Sequence, residues 1–378
     1  MAVLTEDQAM LRDMASAWAR ERAPVEAARR AREDWAGLAY DSALYAEMAQ
    51  MGWTGMVVPE AYGGADFGLV GMGLVMEALG RTLAPSPLLT SALLAVSAIA
   101  VAGSEDQKQA WLPRIAAGEV VATLALEEGA QHDPAATALT ATSQGSAWRL
   151  DGAKRPVPEG MAADLAIVVA RTSGRPGDVD GLSLFLVETN APGLDRRALR
   201  QIDGRGAAVF DLLGVEVGPD ALLGEAGRGW AVLERVLDRG RACLAAEMLG
   251  AATEAFEITL EHLKTRVQFG RVIGEFQALQ HRAAAILGEL ELTRSAVEAA
   301  LTALDADDPD APRLTSLAKA TAGDALRLAA NEMIQMHGGM GMTDEHVAGL
   351  YLKRARVVEM AYGGSAYHRE RWARLSGF

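Results

Sequence analysis

TRVQFGRVIGEFQALQ (residues 265–280) and IQMHGGMG (residues 334–341) decide how this chain is read. The first opens with a basic turn, passes through Phe269-Gly270, and starts a new amphipathic run near Ile273. A helix that stops at a glycine leaves its last carbonyls to be satisfied, and the glycine lets another group approach the backbone closely. Arg266 falls in the last expected helical turn before that break, and its planar guanidinium suits a phosphate or diphosphate. The second stretch sets a glycine cluster at the end of a long helical run, with N–H groups that can meet an extended polar ligand. By residues alone the pair reads either as a dinucleotide held at helix ends or as a helix terminus with a solvated arginine.

Composition bounds the rest. With 378 residues the chain is long enough for two or three domains with sizeable cores, and a 50% hydrophobic content with only 5% aromatics favours helix packing through small side chains. The formal charge of −14 argues against a nucleic-acid partner. A lone cysteine, Cys243, excludes an intrachain disulfide and fits a reducing cytoplasm, while six scattered histidines give no metal site. The early acidic residues of MAVLTEDQAMLRDMA do not make a signal peptide, and the longest apolar run, residues 88–103, is too short for a membrane span and reads as a buried helix.

Residues 1–118 show helical spacing throughout. Thr5-Glu6-Asp7 starts a helix with Leu11, Met14, Ala15 and Trp18 on one face; further helices are expected over 42–51, 69–79, 88–102 and after Ser104. Over residues 119–224 the period changes to alternation, at 148–150, 165–170, 182–187 and 208–215, with Gly, Pro and Asp turns between. That pattern predicts an antiparallel sheet or barrel. Residues 225–378 return to helices, expected over 232–267, 276–304 and 315–337, with a last one after Thr343. The fold class is therefore multi-domain α+β: an all-α N-terminal domain, an antiparallel β middle domain and a C-terminal α-helical bundle.

RVQFGRVIGEFQALQHRAA (266–284) and QMHGGMGMTDEH (335–346) resemble the C-terminal domain of the acyl-CoA dehydrogenase family. MGWTGMVVPEAYGG, MEALGR and GSEDQKQAWLPRIAAGE resemble its N-terminal domain, and DLAIVVART, GLSLFLVETNAPGL and PDALLGEAGRGW its middle domain. The resemblance spans essentially the whole chain. It implies FAD as cofactor, an acyl-CoA substrate desaturated between its α and β carbons, an electron-transfer partner, and assembly with itself or a homologous subunit as a homo- or heterotetramer. The reaction needs a carboxylate at the α-proton and donors on the thioester carbonyl in a dry cleft.

That carboxylate is missing from both places where the family keeps it. The family's Tyr-Glu-Gly-Thr segment is matched here by Tyr362, Gly363, Gly364 and Ser365, which puts Gly363 at the base position. The alternative site on the first helix of the C-terminal bundle falls on Gly240. Asp238 is a substitute candidate; Glu247 and Glu359 read as structural, and Arg241 matches a family arginine near the substrate. In the middle domain, Thr-Glu-Pro is replaced by Leu126-Glu127-Glu128, and a Trp-Ile-Thr beside the flavin ring by Pro156-Val157-Pro158 after a retained Lys154.

The losses are one-sided. In the family a neighbouring subunit holds the ADP half of each flavin, and the residues matching that role are kept: Arg266, Gln268, Phe269, Gln277, Gln335, Gly338 and Gly339, with Ser365 also facing cofactor. His337, inside the second motif, reads as packed or cofactor-adjacent. Three readings follow: a dehydrogenase with an unusual base, a non-catalytic subunit that completes a homologue's flavin site, or a flavin monooxygenase on the same fold.

Overall fold

The computed structural model describes residues 4–378. Its N-terminal stretch is helical: α1 (Glu6–Arg22), α2 (Val25–Glu33), α3 (Ser42–Gln50), α4 (Gly68–Thr82), α5 (Val96–Ala102) and α6 (Glu105–Ala116). The first and last begin alike. Thr5 accepts the Gln8 N–H while Gln8 reaches back to the Thr5 N–H, and Ser104 and Gln107 repeat the exchange. Each pair satisfies two donors that a helix start otherwise leaves open. Leu11, Ala15 and Trp18 are buried along α1, but Met14, expected with them, is exposed. The helix α2 has no counterpart in the sequence reading, because VEAARRARE buries only Ala27. The apolar run near residue 88 is buried as expected, yet it is π-helical over Leu88–Ala95 before α5 takes over.

Eight strands follow: β1 (Ala122–Ala125), β2 (Thr140–Gln144), β3 (Ala147–Pro158), β4 (Leu165–Arg171), β5 (Leu182–Glu188), β6 (Leu194–Ala198), β7 (Ala207–Val217) and β8 (Leu222–Leu223). They form one sheet in the order β6-β7-β3-β2-β4-β5-β8, with β1 also on β4. The expected antiparallel pattern needs one correction: β1 and β4 pair in parallel, as does the single β2–β4 contact. Leu150, Val168, Phe185, Val187, Phe210 and Leu212 fill the core beneath the sheet. Pro156 and Pro158 do not end their strand; the register shifts between Lys154 and Val157, and Pro158 still lies opposite Ala207. A bulge is where a sheet tolerates a residue without an N–H.

The chain then turns helical in α7 (Gly229–Thr265), crosses a hairpin of β9 (Val267–Gln268) and β10 (Arg271–Val272), and continues as α8 (Gln277–Asp305), α9 (Ala311–His337), α10 (Ala348–Met360) and α11 (Ser365–Leu375). The single helix expected after Thr343 is two, parted at Tyr362–Gly364. By compactness, the described residues up to Arg29 join Leu69–Ala84 and Arg241–Phe378 in one unit; Arg30–Gly68 and Pro85–Gly240 make the other. Within the first, α4 and α7 meet backbone to backbone: a Cβ on Gly250 would lie 1.9 Å from the Glu77 carbonyl oxygen. No described helix is long and apolar enough to cross a membrane.

Candidate functional site

The helix expected over 232–267 ends at Thr265, so Arg266 is the first residue beyond α7 rather than part of its last turn. Its N–H still donates to the His262 carbonyl at 2.9 Å, and Phe269 and Gly270, both with positive φ, close the hairpin. Two successive left-handed residues give a tight turn whose twist matches its strands. Arg266, Gln268, Phe269, Gln277, Gln335, Gly338 and Gly339 are all exposed, and Phe269 is 90% accessible. Gln277 is the first residue of α8, and Gln268 Nε2 donates to its neighbour's carbonyl, that of Val267, at 2.8 Å. Just before the first motif, the His262 ring at the end of α7 stacks on the His337 ring of the second, with centroids 4.2 Å apart. The end of α7 and the glycine turn after α9 thus form one edge of the same unit. Its open arginine, amides and glycine backbone suit a diphosphate and adenosine.

The Tyr362–Gly364 turn is closed. Gly363 has φ +105°, and a Cβ there would stand 2.5 Å from the Tyr367 ring and 2.9 Å from His368 Nε2. Buried bases surround it. Lys319 Nζ donates to the carbonyls of Gly363 (3.0 Å), Val358 (3.0 Å) and Glu359 (3.1 Å). Arg241, fully buried, donates from Nε to the Tyr362 carbonyl at 3.1 Å and lies over the Tyr367 ring. His368 Nε2 donates to the same Tyr362 carbonyl at 3.1 Å. Burial, then the charge of Arg241, pulls Lys319 down to about 7; burial and the nearby Arg241, Lys319 and Arg371 hold His368 far below the ordinary imidazole range. Ser365, at the start of α11, is buried with its hydroxyl donating to the Ala320 carbonyl at 3.3 Å.

On α7, a Cβ at Gly240 would meet Leu94 Cδ2 at 2.4 Å. Asp238, the substitute candidate, is buried on the same helix. Glu247 is held by Arg354 at 2.7 Å, and Glu359 lies within ion-pair range of Arg327 and Arg356, as structural carboxylates would be. His337 is packed, its Nδ1 donating to the Met333 carbonyl at 2.7 Å.

In the sheet domain, the replaced segment satisfies itself. Glu128 accepts the N–H groups of Ala138 (2.7 Å) and Leu139 (3.0 Å) and pairs with the buried Lys154 Nζ at 2.7 Å. Lys154 also donates to the Leu126 carbonyl at 2.9 Å, and burial draws its ammonium down to about 8. Glu127 engages His132 Nδ1 at 2.6 Å, while its carbonyl takes the Arg155 N–H at 2.6 Å.

Sequence reading passed over Lys319 and the histidine contacts. Lys319 had a signal: it shares helical spacing with the buried Thr315, Ala322 and Leu326. A cavity of about 440 Å³ lies elsewhere in the first unit, between α1, α4, α7 and α8; its Arg81 and Arg294 are bound to Glu257 and Glu77.

Comparison with known proteins covers the whole architecture. The acyl-CoA dehydrogenase N-terminal, middle and C-terminal domain models match residues 5–119, 122–212 and 227–376. The human mitochondrial short-chain specific acyl-CoA dehydrogenase is 30% identical over 336 residues, 87% of this chain and 81% of its own. The ChsE4-ChsE5 complex from Mycobacterium tuberculosis contains a chain of similar structure, with TM-score 0.89, 27% identity and coverage of 100% and 99%. A variant of the Tcur3481-Tcur3483 steroid ACAD gives TM-score 0.88 at 32% identity, covering 98% of each chain.

Proposed function

This chain belongs to the acyl-CoA dehydrogenase family, whose members are FAD-dependent, and on that premise we propose that it is the non-catalytic member of a hetero-oligomer, lending its Arg266–Gln335 edge to the ADP half of a homologue's FAD. Gly363 carries the reading. Its backbone is in a conformation that side chains rarely adopt, and Tyr367 and His368 occupy the space where a carboxylate would begin. The other family position, Gly240, is packed against Leu94.

The two halves of an FAD fare differently here. Exposed Arg266 and Gln335 and the open turn at Gly338–Gly339 fit a diphosphate and adenosine. The sheet domain does not fit a flavin ring in the family manner: the N–H groups of Ala138, Leu139 and Arg155 are already used, and two carboxylates stand beside them. Bound FAD supplies the hydride acceptor for α,β-desaturation, and in this reading the companion chain holds its ring and the base. Similarity to chains from the ChsE4-ChsE5 complex and the Tcur3481-Tcur3483 steroid ACAD supports a heteromeric assembly and makes steroid thioesters the first substrates to test.

Flavin counted per polypeptide tests this. The lone chain should retain little FAD, and a reconstituted pair should hold one FAD for each copy of this chain. Stoichiometric FAD, with its ring in the sheet domain of the lone chain, would refute it. One observation favours a second reading, an enzyme with its own base: Asp238 is buried two residues before Gly240. If so, Asp238→Asn should slow flavin reduction by about 10²–10⁴-fold.

A further inference from the structure

Three imidazoles gather behind the Arg266–Gln335 edge. His262, one turn before Arg266, stacks on His337 at 4.2 Å with planes 28° apart, and His346 lies 4.3 Å from His337, tilted by 42°. Hydrogen bonds assign the tautomers of His337 and His346. The Met333 carbonyl only accepts, so His337 carries its proton on Nδ1. His346 Nδ1 accepts the Ala348 N–H at 3.2 Å and is therefore bare, helping to cap the start of α10. Protonating His346 on that nitrogen removes the cap, and protonating either neighbour sets a cation against another ring.

The surrounding charges act in the same sense. Arg266 flanks His262 with a like charge. Asp344, two residues before His346, is occupied by Arg29 and Lys353, and Glu345 is exposed. Burial first, and then His337, keep His262 and His346 below the ordinary imidazole range. Both effects favour the neutral forms of His262 and His346.

We infer that the His262–His337–His346 stack makes binding of a diphosphate at this edge proton-linked, the bound anion drawing protons onto the imidazoles and tightening as pH falls. The inference rests on the proposed role of Arg266, Gln335 and Gly338–Gly339 as a diphosphate edge. An anion near the stack offsets the repulsion that disfavours protonation of His262 and His346, and linkage makes the effect reciprocal. His337 is then a positioning residue, since its ring joins the ends of α7 and α9.

ADP-ribose is the suitable probe, because its diphosphate is esterified at both ends and does not itself titrate near neutrality. Calorimetry on the full chain, in its complex if it purifies with a companion, would compare about pH 8 with about pH 6 in buffers of different ionisation enthalpy. Affinity should rise roughly three- to tenfold toward the lower pH with net proton uptake. His262→Phe, which keeps a flat ring, should bring the ratio of the two affinities close to one. Equal affinity at both pH values without proton exchange, while Arg266→Ala abolishes binding, would overturn the linkage but leave the edge intact. No binding by the wild-type protein at either pH would overturn the edge and the linkage together. If His262→Phe does not fold, the wild-type buffer dependence alone decides.

Discussion

Lys319 Nζ sits 3.0 Å from the carbonyl oxygen of Gly363 and ties the turn where the family keeps its base to the middle of α9. The same ammonium holds two carbonyls at the end of α10, so three acceptors share one buried donor. Such a group braces the backbone, and it sets the first expectation.

Burial lowers Lys319 in the fold to about 7 from an ordinary value of 10.5. Between those values the unfolded chain binds the proton and the folded chain does not, so stability from this group rises with pH across that window and is lowest below it. Lys319→Met removes the titration. In urea melts at several pH values, the wild type should gain on the variant from about pH 7 to about pH 10. A difference that is flat or falls with pH would show that Lys319 keeps its proton throughout.

Gly363→Glu should not create a dehydrogenase. The substitution forces a side chain into a left-handed backbone and against Tyr367 and His368, at a cost of about 1–3 kcal/mol for the backbone alone. The expected outcome is a lower denaturation midpoint with no flavin reduction by acyl-CoA. A stable variant that turns over would mean that this turn opens readily.

Arg266→Ala removes a charge-assisted contact to the diphosphate and should weaken FAD binding in the assembled complex by about 1.5–3 kcal/mol, roughly ten- to a hundredfold. Equilibrium binding followed by flavin fluorescence measures it. Unchanged affinity would remove Arg266 from the site.

Glu128→Ala strands the buried Lys154 ammonium and frees the N–H groups of Ala138 and Leu139. Losing one member of a buried pair costs about 3–5 kcal/mol. A change below about 1 kcal/mol in chemical denaturation would show Glu128 to be dispensable.

How much was legible in the sequence follows from how each element is held. The strands β3 and β7, which alternate in burial in part, and β4 and β5, apolar and buried almost throughout, were readable between their turn residues, whereas β2 (TATSQ) and the edge strand β6 (LDRRA) present mostly polar residues and hide. The stop at Thr265 is hidden because Val267 keeps the i, i+4 spacing from Leu263 while actually pairing with Val272 across a hairpin. Lys319 was visible only as a base on an apolar face; that it holds the Gly363 carbonyl depends on contact 44 residues away. The histidine stack unites residues from α7, α9 and the loop before α10, and no local pattern announces such a meeting.

The most direct test is anaerobic stopped-flow mixing of the lone chain, supplied with excess FAD and freed of any co-purified homologue, with acyl-CoA and steroid thioesters. With glycine at positions 363 and 240, the account predicts no flavin bleaching by this chain, and bleaching once a companion carrying a base is added. Rapid bleaching by the lone wild-type chain would contradict it.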